Sequence, residues 1–286
     1  MKKLTIFMLS SVMAMSMLAG CGAKPEENKQ TTDNTTPSTE TSTISGKVSL
    51  NGSTSMEKVV GILDEAFMNT NPDVDVTYDP TGSSAGITAV TDGITDIGLS
   101  SRSLKESETG LTSTVIALDG IGIIVNKDNT VTDLSLEQIA KIATGEIKNW
   151  KDVGGADGPI VMIGREAGSG TRDGFETIVD VKDKVIYAQE LTATGAVIAG
   201  VAANPNAIGY ASIASVNDKV KLLTVNGILP TEATVLDGTY KIQRPFVLVT
   251  KEGAEQTPAV KAYIEFATSP AGGELIAKAG AVPNTK

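Results

Sequence analysis

Three times in this 286-residue chain an apolar run breaks into a turn of glycine, serine and threonine, and three times a helical pattern follows. The turns are Asn51-Gly52-Ser53-Thr54-Ser55, Thr81-Gly82-Ser83-Ser84-Ala85-Gly86 and Arg165-Glu166-Ala167-Gly168-Ser169-Gly170-Thr171. A recurring strand–turn–helix unit restricts the chain to α/β architecture with largely parallel sheets. In such sheets ligands sit beyond the carboxyl ends of the strands, where these turns fall. A helix start exposes unpaired N–H groups and the positive end of the macrodipole. Glycine admits close approach of backbone to a ligand, and hydroxyls add donors without charge. Three such turns aimed at one point suit a small, compact oxyanion.

The rest of the pattern supplies the frame. Lys47 to Leu50 reads as a strand, and Val59, Ile62, Leu63, Ala66 and Phe67 lie on one face of a helix ended by Asn71-Pro72. Thr54 with Glu57 fits a capping box at its start. Val74, Val76 and Tyr78 alternate as a strand, a short helix covers Ile87 to Val90, and Asp96 to Leu99 is a strand ending in Ser100-Ser101-Arg102. Val115 to Val125, rich in β-branched residues, reads as a buried strand passing from one lobe to another, and Phe246 to Val249 as a second. Between them lie helices over Leu134 to Ala143 (capped by Asp133 or Ser135) and roughly Ala193 to Ala203, with strands at Ile160 to Ile163 and Ile208 to Tyr210. Thr257-Pro258 and Ser269-Pro270 each combine an N-cap with proline at the first helical position.

Composition removes several chemistries. The chain has no histidine, which excludes Ser-His-Asp and Cys-His catalysis and any histidine metal site. Its one cysteine excludes disulfides and thiolate metal sites within the chain. No cofactor is expected. Formal net charge is −10, and −12 once Lys2 and Lys3 leave with a leader, so nucleic acid is not an expected partner. An anion must then be recognised by local dipoles and one or two buried arginines rather than by long-range attraction.

The first residues read as an address. Lys2-Lys3 form a basic start and Leu4 to Met17 an apolar stretch, about 14 residues against the ~20 a membrane span needs. Leu18-Ala19-Gly20-Cys21 follows and resembles the bacterial lipobox, which implies cleavage before Cys21 and its lipidation. The expected organisation is a lipoprotein signal peptide over 1–20 and a lipidated cysteine with disordered tether over 21–45. That tether is rich in Thr, Ser, Asn, Glu and Pro, with Ile44 its single large apolar residue.

Individually the motifs are modest. Gly82-Ser83-Ser84-Ala85-Gly86 matches the nucleophile elbow G-x-S-x-G, but the serine lacks a histidine base. The third turn supplies a forked cation, hydroxyls and helix-start N–H groups, and it is not a Walker A loop because no lysine follows the glycine. Arg165 also has the ordinary alternative of a surface ion pair, and Ser100-Ser101-Arg102 that of a polar loop with a solvated arginine. Trp150 reads as a core or lobe-surface anchor, and Arg172 as the partner of a carboxylate.

Taken in order, the lipobox, Gly-Ser-Thr-Ser, Gly-Ser-Ser-Ala-Gly, Asp-Ile-Gly-Leu-Ser-Ser-Arg, Ile-Lys-Asn-Trp, Arg-Glu-Ala-Gly-Ser-Gly-Thr-Arg and Asn-Ala-Ile-Gly-Tyr resemble the phosphate-binding lipoproteins of bacterial phosphate ABC importers, the PstS-type family. The resemblance covers roughly residues 46–286. It implies a two-lobed periplasmic-binding-protein-like (type II) α/β fold, with lobe I from 46–122 plus 247–286, lobe II from 123–246, and a hinge of two crossing strands. It implies a monomer, tethered to the extracytoplasmic face of the cell membrane through Cys21, that captures inorganic phosphate for ABC permease subunits and is not an enzyme. Carried over by position, the phosphate-binding residues are Thr54, Ser55, Ser83, Ser84, Ser101, Arg102, Arg165, Ser169, Gly170 and Thr171. Ser101 stands where well-known members carry an aspartate that accepts a proton from phosphate and so rejects sulfate. A serine penalises sulfate less, because it can turn its hydroxyl to donate. Ala167 stands where an acidic residue often steadies the arginine, a role Glu166 could take. The alternatives are a receptor for another tetrahedral oxyanion (sulfate or molybdate), a serine-based surface phosphohydrolase, and a sensory or adhesive surface protein.

Overall fold

The computed structural model describes residues 44–284. The expected signal peptide over 1–20, Cys21 and all but the last two residues of the expected 21–45 tether lie outside the described residues. In chain order the elements are β1 (Gly46–Gly52), α1 (Glu57–Thr70), β2 (Val74–Asp79), α2 (Ser83–Thr91), β3 (Ile97–Ser100), β4 (Leu111–Asn126), β5 (Asp133–Leu134), α3 (Leu136–Ala143), β6 (Val161–Arg165) and α4 (Gly170–Ile178). There follow β7 (Gln189–Leu191), α5 (Thr194–Ala203), β8 (Ala207–Ser212), β9 (Val220–Leu222), β10 (Thr224–Val225), α6 (Glu232–Leu236), β11 (Gln243–Lys251), α7 (Pro258–Thr268), α8 (Pro270–Lys278) and β12 (Val282–Pro283).

The strands run β2-β1-β3-β11-β4-β8-β6-β7 across the sheet, with β9 and β12 added beside β4. At each end the strands are parallel: β2 with β1, β1 with β3, β8 with β6, and β6 with β7. In the middle they are antiparallel, β3 with β11, β11 with β4, and β4 with β8. The sheet is therefore mixed rather than largely parallel. Two long strands that carry the chain between lobes run against their neighbours, so the α/β pattern on either side is parallel and the seam is not.

Two lobes follow from how β4 divides its side chains. Ile116 and Ala117, at its start, join the core formed by β1, α1, α7 and α8, with Val48, Leu63, Phe67, Leu248 and Tyr263. Further along, Ile121, Ile123 and Val125 enter a second core with Trp150, Phe175 and Tyr210, while Ile124 faces the opposite side with Val197, Val201 and Ile163. That alternation is the period of two expected of a strand buried on both faces. The chain makes the same passage along β11, with Ile242 just before the strand in the second core and Phe246 within it in the first. Fully burying each such side chain contributes about 1.5–3 kcal/mol. Both lobes therefore hold the crossing strands firmly. The result is the two-lobed, periplasmic-binding-protein-like α/β fold.

Local starts and stops mostly follow sequence chemistry. Thr257 and Ser269 cap α7 and α8 by accepting from the N–H groups of Val260 and Gly272, each with proline behind the cap. Ser135 and Gln138 close a reciprocal capping box on α3, and Leu134 belongs to β5 instead of the helix. Two further expectations fail. The Thr54–Glu57 box does not form: α1 begins after Met56 with no side-chain cap, because the Thr54 hydroxyl is engaged elsewhere. The short helix expected from Ile87 begins at Ser83, inside the second turn. Trp150 is buried and donates through Nε1 to the Asn206 carbonyl, as a core anchor should.

Candidate anion-binding site

The first two turns are fixed to one another by backbone. Ser53 N–H donates to Leu99 O at 2.9 Å and Gly82 N–H to Gly52 O at 2.7 Å. Gly86 allows α2 to sit on β1, since a Cβ there would lie 2.3 Å from Asn51 O and 2.6 Å from Gly52 Cα. The third turn, between β6 and α4, meets them from the opposite lobe: Ser84 N–H donates to Gly168 O at 3.0 Å. Gly170 comes closer still, because a Cβ on it would stand 2.5 Å from Ser83 Oγ and 2.6 Å from Ser101 Oγ. Only hydrogen fits there.

Hydroxyls from both lobes consequently touch. Ser55 Oγ lies 2.6 Å from Thr171 Oγ1 and 3.1 Å from Thr194 Oγ1, while Thr54 Oγ1 lies 3.0 Å from Thr194 Oγ1 and accepts from Thr194 N–H at 3.1 Å. Ser83 Oγ is 3.2 Å from Ser101 Oγ and accepts from Ser101 N–H at 3.1 Å. Thr54, Ser55, Ser83, Ser101 and Thr171 are all buried. The N–H groups of Gly170 and Thr171 have no backbone or side-chain acceptor among the described residues, as expected in the first turn of a helix.

Arg165 reaches this cluster from the end of β6, 2% exposed. Nε donates to Leu191 O at 3.1 Å, Nη2 to Thr192 O at 2.7 Å, and Nη1 to Thr194 Oγ1 at 3.1 Å. Carbonyls and a hydroxyl thus steady the guanidinium, and Glu166 makes no hydrogen bond to it. Its backbone is clamped on both sides, with N–H donating to Tyr210 OH and C=O accepting from Arg172 Nη1. Arg172 in turn pairs with Glu176 and Glu190. Burial brings the Arg165 guanidinium down to about 10, so it stays charged at neutral pH. The Tyr210 phenol is pushed up to about 12 by the same cause and stays protonated.

Not every residue expected at the site joins the cluster. Arg102 forks onto Glu108 at 2.7 and 2.8 Å and donates to Ser84 Oγ at 3.1 Å. Its Nε is 3.0 Å from Asp173 Oδ2 on α4, close enough for charge pairing but misaligned for a hydrogen bond. Arg102 and Ser84 therefore form a neighbouring ion-pair group that bridges the lobes. Ser169 caps α4 by accepting from Arg172 N–H, which leaves its own hydroxyl hydrogen free to donate.

Thr194 and Arg244 are members that sequence reasoning missed. Thr194 opens α5 after a strand of only three largely polar residues, so no apolar run marks it. Arg244, on β11 and 4% exposed, donates to Thr171 Oγ1 at 2.7 Å and Ser101 O at 3.3 Å through Nη1. Its Nε and Nη2 face Asp119 Oδ2 at 3.3 and 3.0 Å, directly across the ladder on β4. Asp119 was the available signal. A carboxylate within an apolar crossing strand requires a buried cation beside it. Burial pushes the Asp119 carboxyl up, while Arg244 and the Ser212 hydroxyl pull it back toward the ionised form.

Beside the cluster lies a groove of about 460 Å³, with Thr54 and Thr194 in its lining together with Glu57, Lys58 and Lys219. The arrangement as a whole presents convergent hydroxyls, helix-start N–H groups and a buried cation, with its carboxylate already paired. Such a shell has the chemistry to hold a small oxyanion.

A family model described as PBP superfamily domain matches residues 37–271. A phosphate-binding protein PstS of Borreliella burgdorferi is 32% identical over 247 residues, 82% of this chain and 88% of that protein. The PstS of Bacillus subtilis is 32% identical over 275 residues, covering 94% and 89%. Among solved structures, a Clostridium perfringens protein with bound phosphate matches at a TM-score of 0.79 and 41% identity, over 83% of this chain and 99% of that one. An ABC-type phosphate transport receptor from Vibrio cholerae matches at 0.68 and 33% identity, over 82% and 99%.

Proposed function

The chain belongs to the PstS-type family of phosphate-binding proteins, and from that membership we propose that it captures inorganic phosphate between its two lobes and delivers it to an ABC transporter. The observation that carries this reading is the meeting of two hydrogen-bonded hydroxyl groups, Thr54, Ser55, Thr171 and Thr194 beside Arg165, and Ser83 with Ser101, joined through Arg244 Nη1 to Thr171 Oγ1 and Ser101 O. The proposed contact set is those hydroxyls, the N–H groups of Gly170 and Thr171, and Arg165, with Ser84, Arg102 and Ser169 holding the loops in place. Lobe I is taken as 46–122 plus 247–286 and lobe II as 123–246, with β4 and β11 flexing between them. Lipidation at Cys21 would tether a monomeric receptor to the extracytoplasmic face of the cell membrane, near its permease subunits. The ligand leaves as it entered, without chemistry.

Charge-assisted hydrogen bonds contribute about 1.5–3 kcal/mol each, and micromolar binding needs about 8 kcal/mol. Four to six good contacts meet that after ordering costs. Calorimetric titration with inorganic phosphate tests the reading: saturable one-to-one binding at micromolar concentration is expected, and no heat of binding up to millimolar phosphate would refute it. A second reading, capture of another tetrahedral oxyanion, is favoured by one feature, the serine at position 101 in a shell whose nearest carboxylate is already paired. Competition of phosphate against sulfate and molybdate separates the two.

A further inference from the structure

No carboxylate of the described residues pairs with the Arg165 guanidinium, so its aim depends on how the chain beneath it is held. β8 ladders with β6 only as far as Ile163. The N–H and C=O of Arg165, two residues on, face the side where that ladder has ended, and they need other partners to be buried without cost. The N–H donates to Tyr210 OH at 3.1 Å, and the C=O accepts from Arg172 Nη1 at 3.1 Å.

Both partners lead to one atom. Arg172 Nε donates to Glu176 Oε1 at 2.7 Å, and Tyr187 OH donates to the same oxygen at 3.0 Å. The Tyr187 hydrogen is thereby committed, so in the 2.9 Å contact between the two phenols it is Tyr210 that donates. Burial pushes both phenols up, Tyr210 to about 12, so each keeps its proton. One arm therefore runs in a single direction, from Arg165 N–H through Tyr210 and Tyr187 to the carboxylate, and members of such a chain strengthen one another. The other arm runs from Arg172, held by the carboxylate, to Arg165 O. Glu176 itself is 4% exposed. Packing holds both arms: Arg172 lies 4.7 Å over the Tyr187 ring, Phe175 stacks on Tyr210 at 4.3 Å, and the Tyr187 ring fills the space where a Cβ on Gly164 would stand.

Arg172 and Glu176 both belong to α4, whose first turn presents the N–H groups of Gly170 and Thr171, whereas Arg165 ends β6. The carboxylate thus ties the cation to the helix-start donors. A guanidinium meets an oxyanion through a planar fork, so a small rotation of its stem costs alignment that an ammonium would not lose.

We propose that Glu176, which lies outside the contact set, is a positioning residue for anion capture: through Arg172 and Tyr187 it clamps both peptide groups of Arg165 and fixes the fork relative to the first turn of α4. This rests on the phosphate reading.

The test is phosphate calorimetry on a double-mutant cycle. Tyr187→Phe removes the hydroxyl link and keeps the ring, and Glu176→Gln keeps the shape and removes the charge. Each is made in wild type and in Arg165→Lys, with thermal unfolding to show which variants fold. In wild type, Tyr187→Phe is expected to weaken phosphate binding about fivefold or more, and Glu176→Gln by at least as much. In the Arg165→Lys background, Tyr187→Phe is expected to cost less than about twofold, because a lysine has no fork to aim. A role confined to packing the strand end gives equal losses in both backgrounds, and that result overturns the proposal. So does a Tyr187→Phe protein that binds within about twofold of wild type, and this variant decides the matter where Glu176→Gln does not fold. A wild type that binds no phosphate strikes the functional reading instead; sulfate or molybdate then replaces phosphate in the cycle, and a protein that takes none of the three overturns both.

Discussion

Replacing Arg165 tests how much of the affinity rests on one buried cation. A guanidinium has five N–H donors. Three are already committed, to Leu191 O, Thr192 O and Thr194 Oγ1, which leaves one hydrogen on each terminal nitrogen for a ligand. Two charge-assisted hydrogen bonds at about 1.5–3 kcal/mol each amount to about 3–6 kcal/mol, or two to four orders of magnitude in dissociation constant. Arg165→Ala also strands the two carbonyls, so Arg165→Lys is the needed companion. It keeps the charge but loses the fork and should fall between wild type and alanine. Calorimetry with phosphate gives the affinity, and thermal unfolding without ligand separates loss of binding from loss of fold. A folded Arg165→Ala protein that binds phosphate within threefold of wild type would refute the assignment.

Ser101→Asp introduces a fixed acceptor, so sulfate should compete at least tenfold less well against phosphate; unaltered competition would contradict the role given to Ser101. Gly170→Ala places a methyl 2.5 Å from Ser83 Oγ and 2.6 Å from Ser101 Oγ across the lobes. Relief by partial opening predicts at least a tenfold loss of phosphate affinity with little change in ligand-free melting temperature, and calorimetry with scanning fluorimetry checks both. Asp64, raised by burial from 3.8 to about 6, stabilises the fold when protonated; that stabilisation is complete below 3.8 and lost as pH rises through about 6. The shift corresponds to up to about 3 kcal/mol at pH 8, so Asp64→Asn should raise the melting temperature by several degrees there and hardly at all near pH 4. An equal gain at both pH values would overturn that account.

Much of this site was legible because the chain writes it in short local units. Gly52 to Ser55, Gly82 to Gly86 and Arg165 to Thr171 each carry glycine, hydroxyl and helix start within a few residues, and each reached the cluster. What stayed hidden depends on pairing across long separations. Arg244 meets Asp119 only because β11 and β4 lie side by side, and Thr194 meets Thr54 only because the lobes close. Arg102 looked like a second ligand cation until Glu108, six residues on, proved to take its fork. The Thr54–Glu57 box failed for the same reason, since a local cap lost to a partner 140 residues away. The mixed sheet was invisible to periodicity, because β4 and β11 alternate identically in parallel and antiparallel ladders.

The central claim is that backbone turns from two lobes converge on one tetrahedral guest. A crystal structure of the protein at saturating phosphate tests it most directly. The account predicts one phosphate with oxygens within hydrogen-bond distance of Ser55, Ser83, Thr171 and Arg165 at once. A phosphate held by one lobe alone, or seated in the groove beside Lys58 and Lys219, would contradict it.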